Sequence, residues 1–116
     1  MTQGHTIETR REDVHVEVRL DGTVVASSDR PVLLDETGLP TVHYLPKADV
    51  QAELRPIALR THCPFKGDAS YWTIETESGT HDGIAWSYEE PKEGAENIRG
   101  LVAFFADRAE VVVGAG

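Results

Sequence analysis

The chain has 116 residues, 11 Lys and Arg against 20 Asp and Glu, a formal net charge of −9 and 40% apolar residues, which suits one soluble globular domain. The acidic excess argues against nucleic acid or an anionic membrane surface as partner, because both would repel it. A single cysteine, Cys63, excludes an internal disulfide and a zinc site built from four cysteines or from two cysteines and two histidines.

The chain opens on a polar arm over residues 1–12 of mixed charge, with no basic segment leading into an apolar one, so a cytoplasmic protein without a secretory signal is expected. A single domain over 13–113 and a short tail over 114–116 follow. From Val14 to Leu20 apolar residues alternate with His15, Glu17 and Arg19, the period of a half-buried strand. Asp21-Gly22 is a favoured two-residue hairpin turn, and Thr23 to Ala26 is the returning strand. Pro31 to Leu34 is a further strand or an edge, and Thr41 to Leu45 a strand stopped by Pro46. Ala48 to Leu54 fits a helical turn or a strand. Ile57 to Arg60 is extended, and Thr61 to Asp68 reads as a loop carrying Pro64 and Gly67. Strands are expected over Ala69 to Glu77, Ile84 to Tyr88 and Leu101 to Phe105. Pro91 opens one short C-terminal helix from Lys92 to about Arg99, in which Gly94 lowers the propensity. The sum is a mainly β single domain of short antiparallel strands with one short helix.

Four segments carry a resemblance. Gly22-Thr23-Val24-Val25-Ala26-Ser27-Ser28 fits an early hairpin, and Val42-His43-Tyr44-Leu45-Pro46-Lys47-Ala48-Asp49-Val50 a Tyr-[hydrophobic]-Pro-x-x-Asp-Val segment. Thr61-His62-Cys63-Pro64-Phe65-Lys66-Gly67-Asp68-Ala69-Ser70-Tyr71-Trp72 is the most specific. Ala85-Trp86-Ser87-Tyr88 and Ile98 to Phe104 complete the set. Together they resemble the family named domain of unknown function 427. The resemblance implies a β-tent architecture, like that of methionine-B-sulfoxide reductases and the thalidomide-binding domain of cereblon. Those relatives often hold zinc through paired Cys-x-x-Cys motifs, which a chain with one cysteine lacks. The family is also labelled nucleotidyltransferase-like, but this chain has no carboxylate pair for Mg²⁺ in a Gly-Ser context and no phosphate-cradling glycine loop.

Cys63 is the obvious reactive atom, with His62, Lys66 and His43 as groups that could favour a thiolate. The alternative is a small buried cysteine chosen for its size. Lys66 sits in a Pro-Phe-Lys-Gly turn, where a cation and the backbone N–H groups near Gly67 could hold a carboxylate or phosphate. As a solvated turn lysine it would instead contribute little to folding. Phe65, Tyr71, Trp72, Trp86 and Tyr88 are five of the eight aromatic residues. Rings on two strands could form a pocket for a flat ligand, or a core of large side chains. No histidine pair has metal-ligand spacing, so neither a metal nor another cofactor is expected.

The reading is a small-molecule-binding domain, catalytic or not. Its site comprises Thr61, His62, Cys63, Lys66 and Gly67 with Tyr71, Trp86 and Tyr88. Lys66 would fix an anionic group, the rings would enclose a planar part, and Cys63 would be nucleophile or wall. A thiol enzyme or redox sensor using Cys63, and a non-catalytic protein-interaction module, are the two other readings. The ligand, any reaction and the oligomeric state are not encoded legibly.

Overall fold

The Asp21-Gly22 turn sets the first hairpin: both residues have positive φ, +50° and +84°, the conformation that lets a two-residue turn follow the strand twist. In the computed structural model, which describes residues 5–115, this hairpin joins β2 (Val14–Leu20) to β3 (Thr23–Ser28). The remaining strands are β1 (Ile7–Arg10), β4 (Val32–Glu36), β5 (Val42–Tyr44), β6 (Arg55–Cys63), β7 (Gly67–Thr76), β8 (Gly79–Ser87), β9 (Val102–Phe104) and β10 (Glu110–Ala115). They form three antiparallel sheets, ordered β1-β4-β5, β10-β2-β3 and β6-β7-β8-β9.

Strand alternation gives the third sheet two buried faces. On one face Trp72, Ile74, Ala85, Val102 and Phe104 pack with Val16, Val18 and Leu20 of the second sheet. On the other, Ala69, Tyr71, Trp86, Tyr88 and Ala103 pack with Val32, Leu34 and Tyr44 of the first. The first and third sheets are also joined by backbone: Leu45 and Val102 exchange both N–H···O bonds at 2.8 Å. Two large clusters on opposite faces of one sheet thus take the place of a single core.

The mainly β expectation holds, with one correction. Residues 92–99 form tight turns and a 3₁₀ segment, Glu96–Ile98, instead of an α-helix. Gly94 has φ +95°, which breaks any helix through it. The local bonds run three residues back, from Ala95 to Lys92, Ile98 to Ala95 and Arg99 to Glu96. Ala48 to Leu54 likewise opens in a 3₁₀ turn, Lys47–Asp49.

Two strands lie where sequence periodicity is silent. β1 falls within the arm expected over 1–12 and pairs with β4, so β4 is the central strand of its sheet. β10 runs into the tail expected over 114–116 and pairs with β2. Residues 1–4 of that arm and residue 116 of that tail lie outside the described residues. No described helix is long and apolar enough to cross a membrane.

Candidate functional site

The segment expected as a loop over Thr61 to Asp68 is mostly strand. β6 continues to Cys63 and β7 starts at Gly67, leaving Pro64-Phe65-Lys66 as the turn. Cys63 and Gly67 face each other in register across it. Gly67 has φ +110°, and a Cβ there would stand 3.3 Å from the Glu90 carbonyl oxygen. The Lys92 N–H donates to the Lys66 carbonyl at 3.0 Å, docking the turn on residues 90–92. The glycine is required both by its backbone and by this close approach.

Lys66 does not face solvent. Its ammonium donates to Glu36 Oε1 at 2.6 Å, and the two side chains are only 12% and 10% exposed. His5 Nε2 lies 2.7 Å from the other Glu36 oxygen, and its ring stacks on Phe65 at 4.4 Å. Burial works to raise the Glu36 pKa, but the hydrogen bonds from Lys66 and His5 prevail and hold it below the usual glutamate value. The cation expected to capture a ligand anion is therefore engaged within the fold, clamping the turn to β4.

His62 lies on the opposite side of β6 from Cys63. Its Nδ1 is 2.7 Å from Asp68 across the hairpin, and both side chains are largely exposed. Thr61 shares the Cys63 side and joins its hydroxyl to that of Tyr71 at 2.8 Å. Cys63 itself is half-buried against the cluster that holds Tyr44, Tyr71 and Tyr88. Burial raises the pKa of both Tyr44 and Tyr88, so these phenols stay neutral. His43 also lies away from the thiol, because its neighbours Val42 and Tyr44 take the cluster-facing positions of β5. Of the three groups expected to activate Cys63, two lie elsewhere and one is held by a carboxylate.

Tyr71, Trp86 and Tyr88 do share one face of the third sheet, with Tyr71 and Trp86 directly paired across β7 and β8. Their arrangement is set by a residue that reasoning from sequence left out. Phe105 lies parallel to Tyr71 at 6.3 Å and packs on Trp86 at 4.6 Å. Trp86 also meets Tyr44 edge-on, and its indole N–H donates to the Tyr44 hydroxyl at 3.1 Å. Phe105 follows β9 directly, where a run of Val, Ala and Phe signals a core strand and conceals a site residue.

Trp86 and Phe105 line an apolar cavity of about 270 Å³. Val16, Val18 and Val111 of the second sheet line it too, as do Thr41, Val42, His43 and Leu45 in and beside β5 of the first. Among the described residues no Lys, Arg, Asp or Glu side chain lines it. Of the eight residues expected at the site, only Trp86 reaches this cavity; Thr61, His62, Cys63, Lys66, Gly67, Tyr71 and Tyr88 do not line it. Burial lowers the pKa of His43, one of the lining residues, below the usual histidine value, helped by Arg10 and opposed by Asp35, so its imidazole is neutral near pH 7. Among the described residues no group of three or more His, Cys, Asp or Glu side chains is placed to hold a metal ion.

The antiparallel three-sheet fold and the glycine-tipped hairpin docked on residues 90–92 accompany a match to a known family. Residues 8–115 match the domain of unknown function (DUF427) family, and the chain belongs to it. Among curated proteins none matches the chain.

Proposed function

We propose that this domain binds a small, flat, largely apolar molecule between its sheets, against Trp86 and Phe105. The observation that carries this reading is the apolar cavity of about 270 Å³. Its volume is close to the lower end of the roughly 300–1,000 Å³ typical of ligand sites, which suits a molecule of two or three rings. Aromatic walls favour a planar ligand, since ring–ring contacts add to the burial of apolar area. Three antiparallel sheets support the β-tent as the finer description of the fold, and a site between sheets fits that architecture.

Binding is preferred over thiol chemistry because His62 and Lys66 are paired to Asp68 and Glu36 and are not free to activate Cys63. The test is a titration with N-phenylnaphthylamine, a neutral fluorophore that brightens in apolar surroundings. A Trp72→Phe background leaves Trp86 as the sole indole. Saturable binding at one site per chain, with quenching of Trp86 emission, is the expected result. A non-saturable signal, or binding that leaves Trp86 emission unchanged, refutes the cavity as a ligand site.

A further inference from the structure

Among the described residues, three with polar side chains line the cavity, and two of those side chains are committed elsewhere. The Trp86 N–H is donated to Tyr44, and the Thr41 hydroxyl is donated to Asp35. His43 is the third. It is half-buried, and no buried side-chain polar atom among the described residues lacks a partner, so its ring nitrogens are not sealed off unsatisfied in the free protein. A ligand that fills the cavity would take water from this imidazole without compensation unless it supplies a hydrogen bond in return. The rest of the lining offers none, because it consists of aliphatic and aromatic side chains and Pro40.

Resting on the cavity reading above, we infer that His43 is the specificity-determining residue of the site and that the ligand is an uncharged planar molecule carrying one hydrogen-bonding group, a hydroxyl or ring nitrogen, at its edge. A neutral imidazole has one N–H and one bare nitrogen, so it can donate to or accept from such a group. Among the described residues a carboxylate or phosphate would find no cation in the lining, since Arg10 beside His43 lies outside it and is paired to Asp35, and it would be stripped of water against apolar walls. An ammonium would likewise meet no carboxylate there. Aromatic contact supplies affinity for the shape, and His43 discriminates among molecules of equal shape.

The experiment uses three probes of one outline: naphthalene, neutral naphthol and the naphthoate anion, each competed against N-phenylnaphthylamine. Naphthol is expected to bind about three- to tenfold more tightly than naphthalene, the span that one net hydrogen bond supplies. Naphthoate is expected to bind more weakly than naphthalene. His43→Phe should abolish the preference for naphthol over naphthalene, read as the ratio of their affinities in that variant, and His43→Gln should restore part of it. His43→Leu replaces His43→Phe if the larger ring prevents folding. Equal affinity of the wild-type protein for naphthol and naphthalene overturns the inference, as does a preference that survives in His43→Phe or His43→Leu. Tighter binding of naphthoate than of naphthol overturns the uncharged class. Each of these results leaves the cavity reading standing, whereas failure of N-phenylnaphthylamine itself to bind removes both.

Discussion

Lys66 and Glu36 form an ion pair inside the fold, 2.6 Å apart with both side chains nearly covered, and it ties the hairpin turn of the third sheet to the central strand of the first. A surface lysine would cost little to remove. Here its loss leaves a covered carboxylate short of its main partner. Lys66→Ala should destabilise the protein by about 2–3 kcal/mol in urea unfolding, and Glu36→Ala by a similar amount. Lys66→Ala with Glu36→Ala should cost less than the two singles summed, because no charge is then stranded. Lys47→Ala should cost below about 1 kcal/mol, since its pair with Glu89 is substantially exposed. Equal, small effects of Lys47→Ala and Lys66→Ala would contradict this account.

Gly67 tests the same turn through the backbone. At φ +110° a side chain is strained, and a Cβ would press on the Glu90 carbonyl at 3.3 Å. Gly67→Ala should therefore cost about 2–3 kcal/mol, within the range for a strained backbone plus a close contact. Gly38 also has positive φ, +79°, but a Cβ there meets nothing within 4 Å. Gly38→Ala should cost less, about 1 kcal/mol. Thermal unfolding of the two variants compares a turn that is docked with one that is free.

The acid response should have two separable parts. The His43 pKa is lowered below 6.5 by burial, so the unfolded chain takes up this proton before the folded one does. Its contribution to stability is complete above pH 6.5 and declines as the pH falls through the lower folded value. The charged groups facing His43 are Arg10 and Asp35, which bond to each other at 2.7 Å. Glu36 acts the same way from its ordinary value of 4.5 downwards, because Lys66 and His5 outweigh its burial. Urea midpoints followed from neutral to acid pH should show both declines. His43→Gln should remove the one nearer neutrality and Glu36→Gln should reduce the more acidic one. A His43→Gln profile that coincides with wild type in the near-neutral range contradicts the buried, neutral imidazole.

Cys63 should be an ordinary, slow thiol. It is half-buried, and the His62 ring on the other side of β6 is bound to Asp68. Reactivity requires a cation or base beside the sulfur. His62→Ala should leave the iodoacetamide alkylation rate of the native protein within about twofold, because screening by water weakens a charge on the far side of a strand. A large fall in rate on His62→Ala would reinstate thiol chemistry.

The elements that local patterning could reveal are those whose cause is local. Alternation from Val14 to Leu20 and the two positive-φ residues Asp21 and Gly22 define a hairpin by themselves. β1 and β10 have no comparable signature. Ile7–Arg10 is a strand because β4 offers it partners, and Glu110–Ala115 because β2 does. The expected helix failed because one glycine at φ +95° outweighed a polar, helix-like composition. At the site, the shared face of Tyr71, Trp86 and Tyr88 follows from strand period and was legible. The partners of Lys66 and His62 were not, since Glu36 lies 30 residues away and the register pairing His62 with Asp68 appears only when the hairpin closes. The cavity is less legible still, because β2, β5, β9 and β10 meet there only after three sheets assemble.

Filling the cavity separates its two roles, as a packing defect and as a binding site. Val111 is half-buried on β10 and lines the same cavity as Trp86 and Phe105. Val111→Phe adds a ring directed at an existing void, so the overpacking cost of a filled core should be largely absent. The new ring removes apolar surface from water, which favours folding by up to roughly 1 kcal/mol. Stability should therefore stay within about 1 kcal/mol of wild type or rise slightly. Binding of N-phenylnaphthylamine should fall by at least about tenfold, since probe and ring compete for one volume of 270 Å³. Leu39→Phe is the control: Leu39 is 58% exposed at the rim, and its substitution should leave probe affinity within about threefold. Wild-type affinity in a folded Val111→Phe protein would show that the probe binds elsewhere. A fall in affinity accompanied by a stability loss of several kcal/mol would show that the space closes in solution and that the valine is part of a tight core.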